Sequence, residues 1–473
     1  MRSYHRVLFC FMALVLLIFV VSSPAYAKKW NVYPTMARGV IQAVIDAAKD
    51  GDVIYFNPGT YDFSTAPTNR NYENGGALQI VDKSLTIKGA PGSIIVGAPV
   101  IAGSTSIWMT GINAFWILNS DADKDVAFDG LTFKTFMNGI FAVNSNGNRN
   151  YNVGYPNLRN LQIKSCTFTD IYRNGIAVEG EQGNLTITDN NIEGLSTISR
   201  LGLYIDWLNE PGNTQWQPDN TLVTIKNNSI QNFLGGIIFQ QASNVEIKNN
   251  NISTDSNPNY DCIGISFFGL KNSAKVADNV LFNLGQGVQI WGGNNGPFAC
   301  MATGITVKNN DLSNIWNYGI NVLGDLAYSN SITNNTIQML SPEQSNAIYS
   351  EGFNNEYKNN ILGGYGWAAV CLSGWTDPDS GLSAFAHNEF FKDNSIAGFT
   401  PNPCHYALDF YTHDNTIIGL KPEQALYSDN GINNNFKRVY LYSPQSTPTH
   451  MSVSSSKVSN IIKKGGTKKV ETL

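Results

Sequence analysis

Val223-Thr-Ile-Lys-Asn-Asn-Ser-Ile-Gln231 and Val245-Glu-Ile-Lys-Asn-Asn-Asn-Ile-Ser253 are one phrase written twice, 22 residues apart. In each copy apolar residues at alternate positions face one side of a strand, and the paired asparagines that follow end it. Shorter copies flank the pair: Leu85-Thr-Ile-Lys-Gly89, Leu161-Gln-Ile-Lys-Ser165, Leu185-Thr-Ile-Thr-Asp189 and Ile305-Thr-Val-Lys-Asn309. A second phrase lies between copies, as in Gly175-Ile-Ala-Val-Glu179, Gly202-Leu-Tyr-Ile-Asp206, Gly236-Ile-Ile-Phe-Gln240 and Gly287-Val-Gln-Ile-Trp291. Two short strands per unit cannot bury an apolar face alone, whereas stacked units can, each bonded to the next at about 4.8 Å. The expected fold is all-β, a single-stranded parallel β-helix of about twelve coils over residues 63–442. Asparagine suits its corners because it tolerates left-handed backbone angles and its amide can bond to the coils above and below.

Composition agrees. Of 473 residues only 14% are charged, while 43 are glycine and 58 asparagine, which excludes a mainly helical protein. An apolar content of 42%, with 9 Trp, 21 Tyr and 24 Phe, excludes wholesale disorder. A net charge of -5 speaks against a nucleic-acid partner.

The ends differ from the middle. Arg2 and Arg6, an apolar run from Val7 to Val21 and Pro24-Ala-Tyr-Ala27 form a secretory signal over 1–27. The run is shorter than the ~20 residues a membrane-spanning helix needs, so the expectation is a secreted, periplasmic or cell-surface protein without a membrane span. Residues 28–62 supply a capping helix over 37–49 and a first strand at Val53–Phe56. Residues 443–473, rich in Ser, Thr, Pro and Lys, read as a disordered tail. Cys166, Cys262, Cys300, Cys371 and Cys404 lack zinc-type spacing and, being odd in number, cannot all pair within one chain.

The entry Ile41-Gln-Ala-Val-Ile-Asp46, Gly51-Asp-Val-Ile54, Pro58-Gly-Thr-Tyr61 and Ser84-Leu-Thr-Ile-Lys-Gly89 resembles that of right-handed parallel β-helix proteins of the pectate-lyase-like superfamily. The resemblance implies the fold and spans residues 35–440. It leaves activity open among lyases, glycosidases, epimerases, adhesins and NosD-like periplasmic proteins, and no Asp-Asp pair, Gly-His-Gly or Asp-Pro-His signature of those branches is present.

Chemistry is expected on the second strand's outward face, beneath the longest loops. Its columns read Tyr204, Gln289, Tyr349, Cys371 and Asp409 in one and Glu179, Asp206, Gln240, Trp291, Glu351, Ser373 and Tyr411 in the other, without Lys or Arg. Glu179 and Asp206 would stack in consecutive coils near the ~5 to 5.5 Å carboxyl separation of a retaining glycosidase, with solvated acids or a calcium site as the other readings. Tyr204, Trp207, Trp216, Gln240, Gln289, Trp291, Tyr349 and Glu351 would contact sugar. The expected partner is a polysaccharide bound on this face; whether it is also cleaved is left open, with hydrolysis ranked above elimination for an enzyme, since a lyase needs a cation near the uronate, and the alternative is a non-catalytic adhesive or NosD-like accessory solenoid. The first strand's outward lysines, Lys88, Lys164, Lys226, Lys248 and Lys308, either solubilise the sheet or attract a polyanion. His405, Asp409 and His413, at four-residue spacing on one strand, would spread too far to share a metal.

Overall fold

The computed structural model describes residues 27–437 apart from 66–75, 99–111, 119–122, 144–157, 180–182, 196–198, 207–221, 256–261, 296–297, 342–344, 377–382, 397–398, 402–403, 411 and 420–426. The secretory segment, the tail, Trp207 and Trp216 lie outside the described residues.

A helix at Arg38–Ala47 buries Ile41 and Ile45 and closes one end of a solenoid in which every coil pairs parallel with the next. Each coil carries three strands, not the two expected. Leu158–Lys164, Thr167–Ile171 and Asn174–Glu179 make one coil, and Asn184–Thr188, Asn191–Gly194 and Leu201–Asp206 make the next. The extra strand is short enough to bury one large residue, such as Ile192 or Ile230, and this is why alternation did not reveal it. The first ladder stacks Ile163, Ile187, Ile225 and Ile247 inward. The third, called here the groove ladder, stacks Val178, Ile205, Phe239 and Phe267. The first ladder extends beyond the legible repeats, from Trp30 opposite Ile54 to Ile417 opposite Phe436.

The corner after the first strand is built by both asparagines, each with its own task. The first takes the left-handed conformation, with φ of 57° at Asn227 and 55° at Asn249. The second is buried and forms a ladder. The backbone N–H and Nδ2 of Asn228 both donate to Asn250 Oδ1, and those of Asn250 to Asn279 Oδ1, while Nδ2 of Asn228 also reaches the Ile187 carbonyl of the previous coil. An amide is required there because one group must accept twice and donate twice.

A second ladder of this kind stands at the corner after the groove strand, in Asn330, Asn355, Asn415 and Asn434, with Glu389 in the row between Asn355 and Asn415. The residues just before its members, Ser329, Asn354, Asn388, Asp414 and Asn433, take the left-handed conformation. Outside that corner Tyr328, Phe353, His387 and His413 stack with 4.8 Å between successive rings. His413 therefore does not share a strand with His405, which is buried beside Tyr406–Leu408.

Glycine opens the groove strands for a steric reason. A Cβ on Gly175 would stand 2.3 Å from Ile192 Cγ2 and 2.6 Å from the Gly202 carbonyl oxygen.

Candidate functional site

The groove ladder points two columns outward. One runs Trp116, Phe141, Ala177, Tyr204, Ile238 and Ser266, then Gln289, Asn321, Tyr349, Cys371 and Ala407. The other runs Asp206, Gln240, Phe268, Trp291 and Leu323. It continues through Glu351, Ser373 and Asp409, whose backbone N–H groups donate to the Val322, Ser350 and Leu372 carbonyls. Asp409 was expected beside Cys371 but stands beside Ser373, because Ala407 pairs with Cys371. A two-residue slip leaves Tyr406 and Leu408 buried in either register, so hydrophobic pattern could not distinguish them. Tyr411 lies outside the described residues.

Glu179 and Asp206 are register partners in adjacent coils, as expected. Asp206 is buried, Tyr204 Oη donates to its Oδ2 at 2.7 Å, and the Tyr204 ring packs with Trp116, Leu118, Phe141 and Ala177. Farther along, Phe268 and Trp291 lie 5.9 Å apart, with half-buried Gln240 next to Phe268. Gln289 is buried and accepts from Ser266 Oγ at 2.7 Å.

Farther still the tyrosine and acid recur. Tyr349 Oη donates to Glu351 Oε1 at 2.8 Å, and Ser373 Oγ to Asp409 Oδ2 at 3.1 Å. Here a cleft of about 530 Å³ opens, with Asn346, Tyr349, Trp367, Ser373, Asp409 and Asn430 among its lining. Small residues make its floor: Ala368, Cys371, Cys404 and Ala407 cluster under Tyr349. Of the cleft's lining, sequence reading singled out Tyr349 but not Asn346, Trp367 or Cys404, which reach the cleft from strand starts and turns that no repeat marks. The repeated pattern Tyr-x-acid, at Tyr204 and Tyr349, was the available signal.

A family model described as right handed beta helix region matches residues 216–337. The A-module of mannuronan C-5 epimerase AlgE6 from Azotobacter vinelandii is 16% identical, over 86% of this chain and 92% of that one, with a TM-score of 0.48. A mutant tailspike protein of the E. coli bacteriophage HK620, in complex with a hexasaccharide, is 12% identical over 85% of this chain and 72% of that one, with a TM-score of 0.50. The fold is a right-handed parallel β-helix. Among curated protein sequences none matches this β-helix.

Burial, and then the charge of Glu351, raise the Tyr349 hydroxyl above its ordinary range, so it stays protonated and donates. Burial pushes the Cys404 thiol up to about 11 and Cys371 higher still, with the Asp409 charge adding to the latter. Neither supplies a thiolate nucleophile near neutral pH. Cys166, Cys371 and Cys404 are free thiols. Among the described residues no group of three or more His, Cys, Asp and Glu side chains could hold a metal ion.

The first ladder's lysines are partly neutralised by their own sheet. Lys88 pairs with Asp129 at 2.9 Å, Lys226 with Glu246 at 2.7 Å and Lys248 with Asp278 at 3.5 Å. That pairing favours the solubilising role over a polyanion site.

Proposed function

We propose that this β-helix is exported and binds a polysaccharide across its groove face, with the cleft beside Tyr349 as the principal subsite. The observation that carries this reading is the cleft itself, which combines the Asp409 carboxylate, the Asn346 and Asn430 amides and the exposed Trp367 over a small apolar floor. Hydroxyl-rich rings offer donors to those oxygens and apolar ring faces to the aromatic wall. The tailspike of like fold, described with a bound hexasaccharide, illustrates that such a solenoid can hold a sugar chain. Export is supported by the N-terminal apolar run and its Ala25-Tyr-Ala27 ending.

Affinity electrophoresis through gels containing neutral or acidic polysaccharides tests the binding. The protein should be retarded by at least one polymer, and Trp367→Ala should weaken that retardation by about tenfold, the loss of one aromatic contact. Unchanged retardation of the variant, or no retardation by any polymer, removes the cleft from binding. N-terminal sequencing of the exported protein should begin at Lys28.

A further inference from the structure

The corner after the groove strand repeats one geometry in successive coils. Tyr328, Phe353, His387, His413 and Ile432 each stand one residue before a left-handed residue, at Ser329, Asn354, Asn388, Asp414 and Asn433. They also bridge in parallel register, so their side chains leave the solenoid in like directions. The first two rungs are aromatic and the last is aliphatic. Between them imidazole lies on imidazole, with the His387 and His413 ring centroids 4.8 Å apart and the planes 14° from parallel. Only 5 of 473 residues are histidine, yet two of them occupy consecutive rungs. Both are half-buried, and neither lines the cleft beside Tyr349.

Phenylalanine serves this stack as well, since Phe353 lies against His387 at the same 4.8 Å. What histidine adds is nitrogen, and its hydrogen bonds decide which nitrogen is available. His387 Nδ1 lies 2.8 Å from the Phe385 carbonyl oxygen, and His413 Nδ1 lies 2.9 Å from Asp414 Oδ2. A carbonyl and a carboxylate only accept, so each Nδ1 carries a proton and each neutral ring keeps its lone pair on Nε2. An acceptor behind Nδ1 is the support that fixes the tautomer of metal-ligating histidines and makes their Nε2 more basic. Rings in register present these distal nitrogens about 4.8 Å apart. Metal–imidazole bonds of about 2.0–2.1 Å place two nitrogens on one ion about 3–4 Å apart. A tilt of roughly 10° in each ring, well inside one rotamer well, closes the difference. The Asp414 carboxylate adds negative charge beside the pair.

We propose that His387 and His413 form a surface site for a divalent late transition-metal ion, Cu²⁺, Ni²⁺ or Zn²⁺, bound through both Nε2 atoms. Two imidazoles leave the remaining positions to water, fewer protein ligands than a closed structural site holds. Neutral nitrogen donors select these ions over Ca²⁺ and Mg²⁺, which take oxygen ligands. The Phe385 carbonyl and Asp414 act as positioning groups behind the ligands. The site is separate from the cleft and does not depend on what the cleft binds.

Isothermal titration calorimetry tests this on the exported protein prepared without a histidine tag. It should bind one Cu²⁺ per chain with micromolar Kd, Ni²⁺ and Zn²⁺ more weakly, and neither Ca²⁺ nor Mg²⁺. Electron paramagnetic resonance of the Cu²⁺ complex should show coupling to two nitrogens. Asp414→Asn, which alters only the support behind His413, should weaken binding by about tenfold. His387→Phe and His413→Phe keep the stack and remove one nitrogen each. Both should weaken binding further and leave a single coupled nitrogen, with the melting temperature retained. Binding no tighter than millimolar, affinity unchanged in both phenylalanine variants, or equal affinity for Ca²⁺ overturns the site.

Discussion

Tyr204 with Asp206 and Tyr349 with Glu351 are the same device at two heights of one stack. In each a tyrosine donates to an acid two residues on, at 2.7 and 2.8 Å. Their surroundings differ. Above and below Tyr204 the column supplies Trp116, Phe141 and Ala177, which pack with its ring, and Asp206 is buried. Beyond Tyr349 it supplies Cys371, Ala407 and Ser428, and a cleft remains. In a solenoid, then, the bulk of residues one and two coils away determines whether a polar pair is sealed or presented, even when the strand carrying it is unchanged.

Both pairs rest on one core, and breaking that core should have the largest effect. Ile225, on a coil between them, is fully buried, so Ile225→Asp strands a charge in the stack and should cost several kcal/mol. Thermal melts followed by circular dichroism should show a large fall; an unchanged melting temperature would mean the inward assignment is reversed.

The next effect should separate the two regions. Glu389 is fully buried in the second asparagine ladder, where its Oε1 accepts from Asn355 Nδ2 and Ser350 Oγ, and Ser350 directly follows Tyr349. Its Oε2 has no partner. Burial raises its pKa from 4.5 to about 8, with the hydrogen bonds opposing. A raised carboxyl pKa means that the folded state holds its proton where the unfolded state has lost it. Stability is therefore full below about pH 4.5, falls as pH rises toward 8 and levels off above, by on the order of 5 kcal/mol. Neighbouring Tyr357, raised well above its ordinary value by burial, stays neutral throughout. Melting temperatures from pH 4 to 9 should fall in the native protein and flatten in Glu389→Gln, which restores a ladder amide. Protease cutting at pH 9 should begin in the coils around Tyr349 rather than around Tyr204; the reverse order would dissociate Glu389 from the cleft.

Converting one region into the other is a smaller change. Ala407→Trp should fill the cleft as Trp116 and Phe141 fill the column around Tyr204, and weaken polysaccharide retardation at least tenfold, about 1.4 kcal/mol. Retained binding would locate the subsite elsewhere on the face. Smallest is Tyr204→Phe, which deletes one hydrogen bond to a buried carboxylate and should cost about 1–2 kcal/mol of stability without altering retardation. Tyr349→Phe should do the opposite, with little change in melting and a measurable loss of retardation.

Much of this was written in the local chain. Val223-Thr-Ile-Lys-Asn-Asn228 and its copies determine strands, corners and the direction of each side chain, because strand alternation and left-handed asparagine are properties of one or a few residues. For the same reason the stacking of Glu179 on Asp206 could be anticipated. The third strand escaped because a single inward residue has no period. Asp409 was misplaced because a slip of two preserves facing, and Glu389 looked like any other acid until the ladder showed it standing where an amide belongs. The cleft depends on the sizes of Cys371, Cys404 and Ala407 relative to Tyr349, residues up to 58 positions apart that meet only when coils stack. Local sequence determined what each coil is. Which side chains lie one strand spacing above and below, and therefore what is buried and what is open, depended on the lengths of the intervening loops, which no repeat encodes and only the stacked structure resolves.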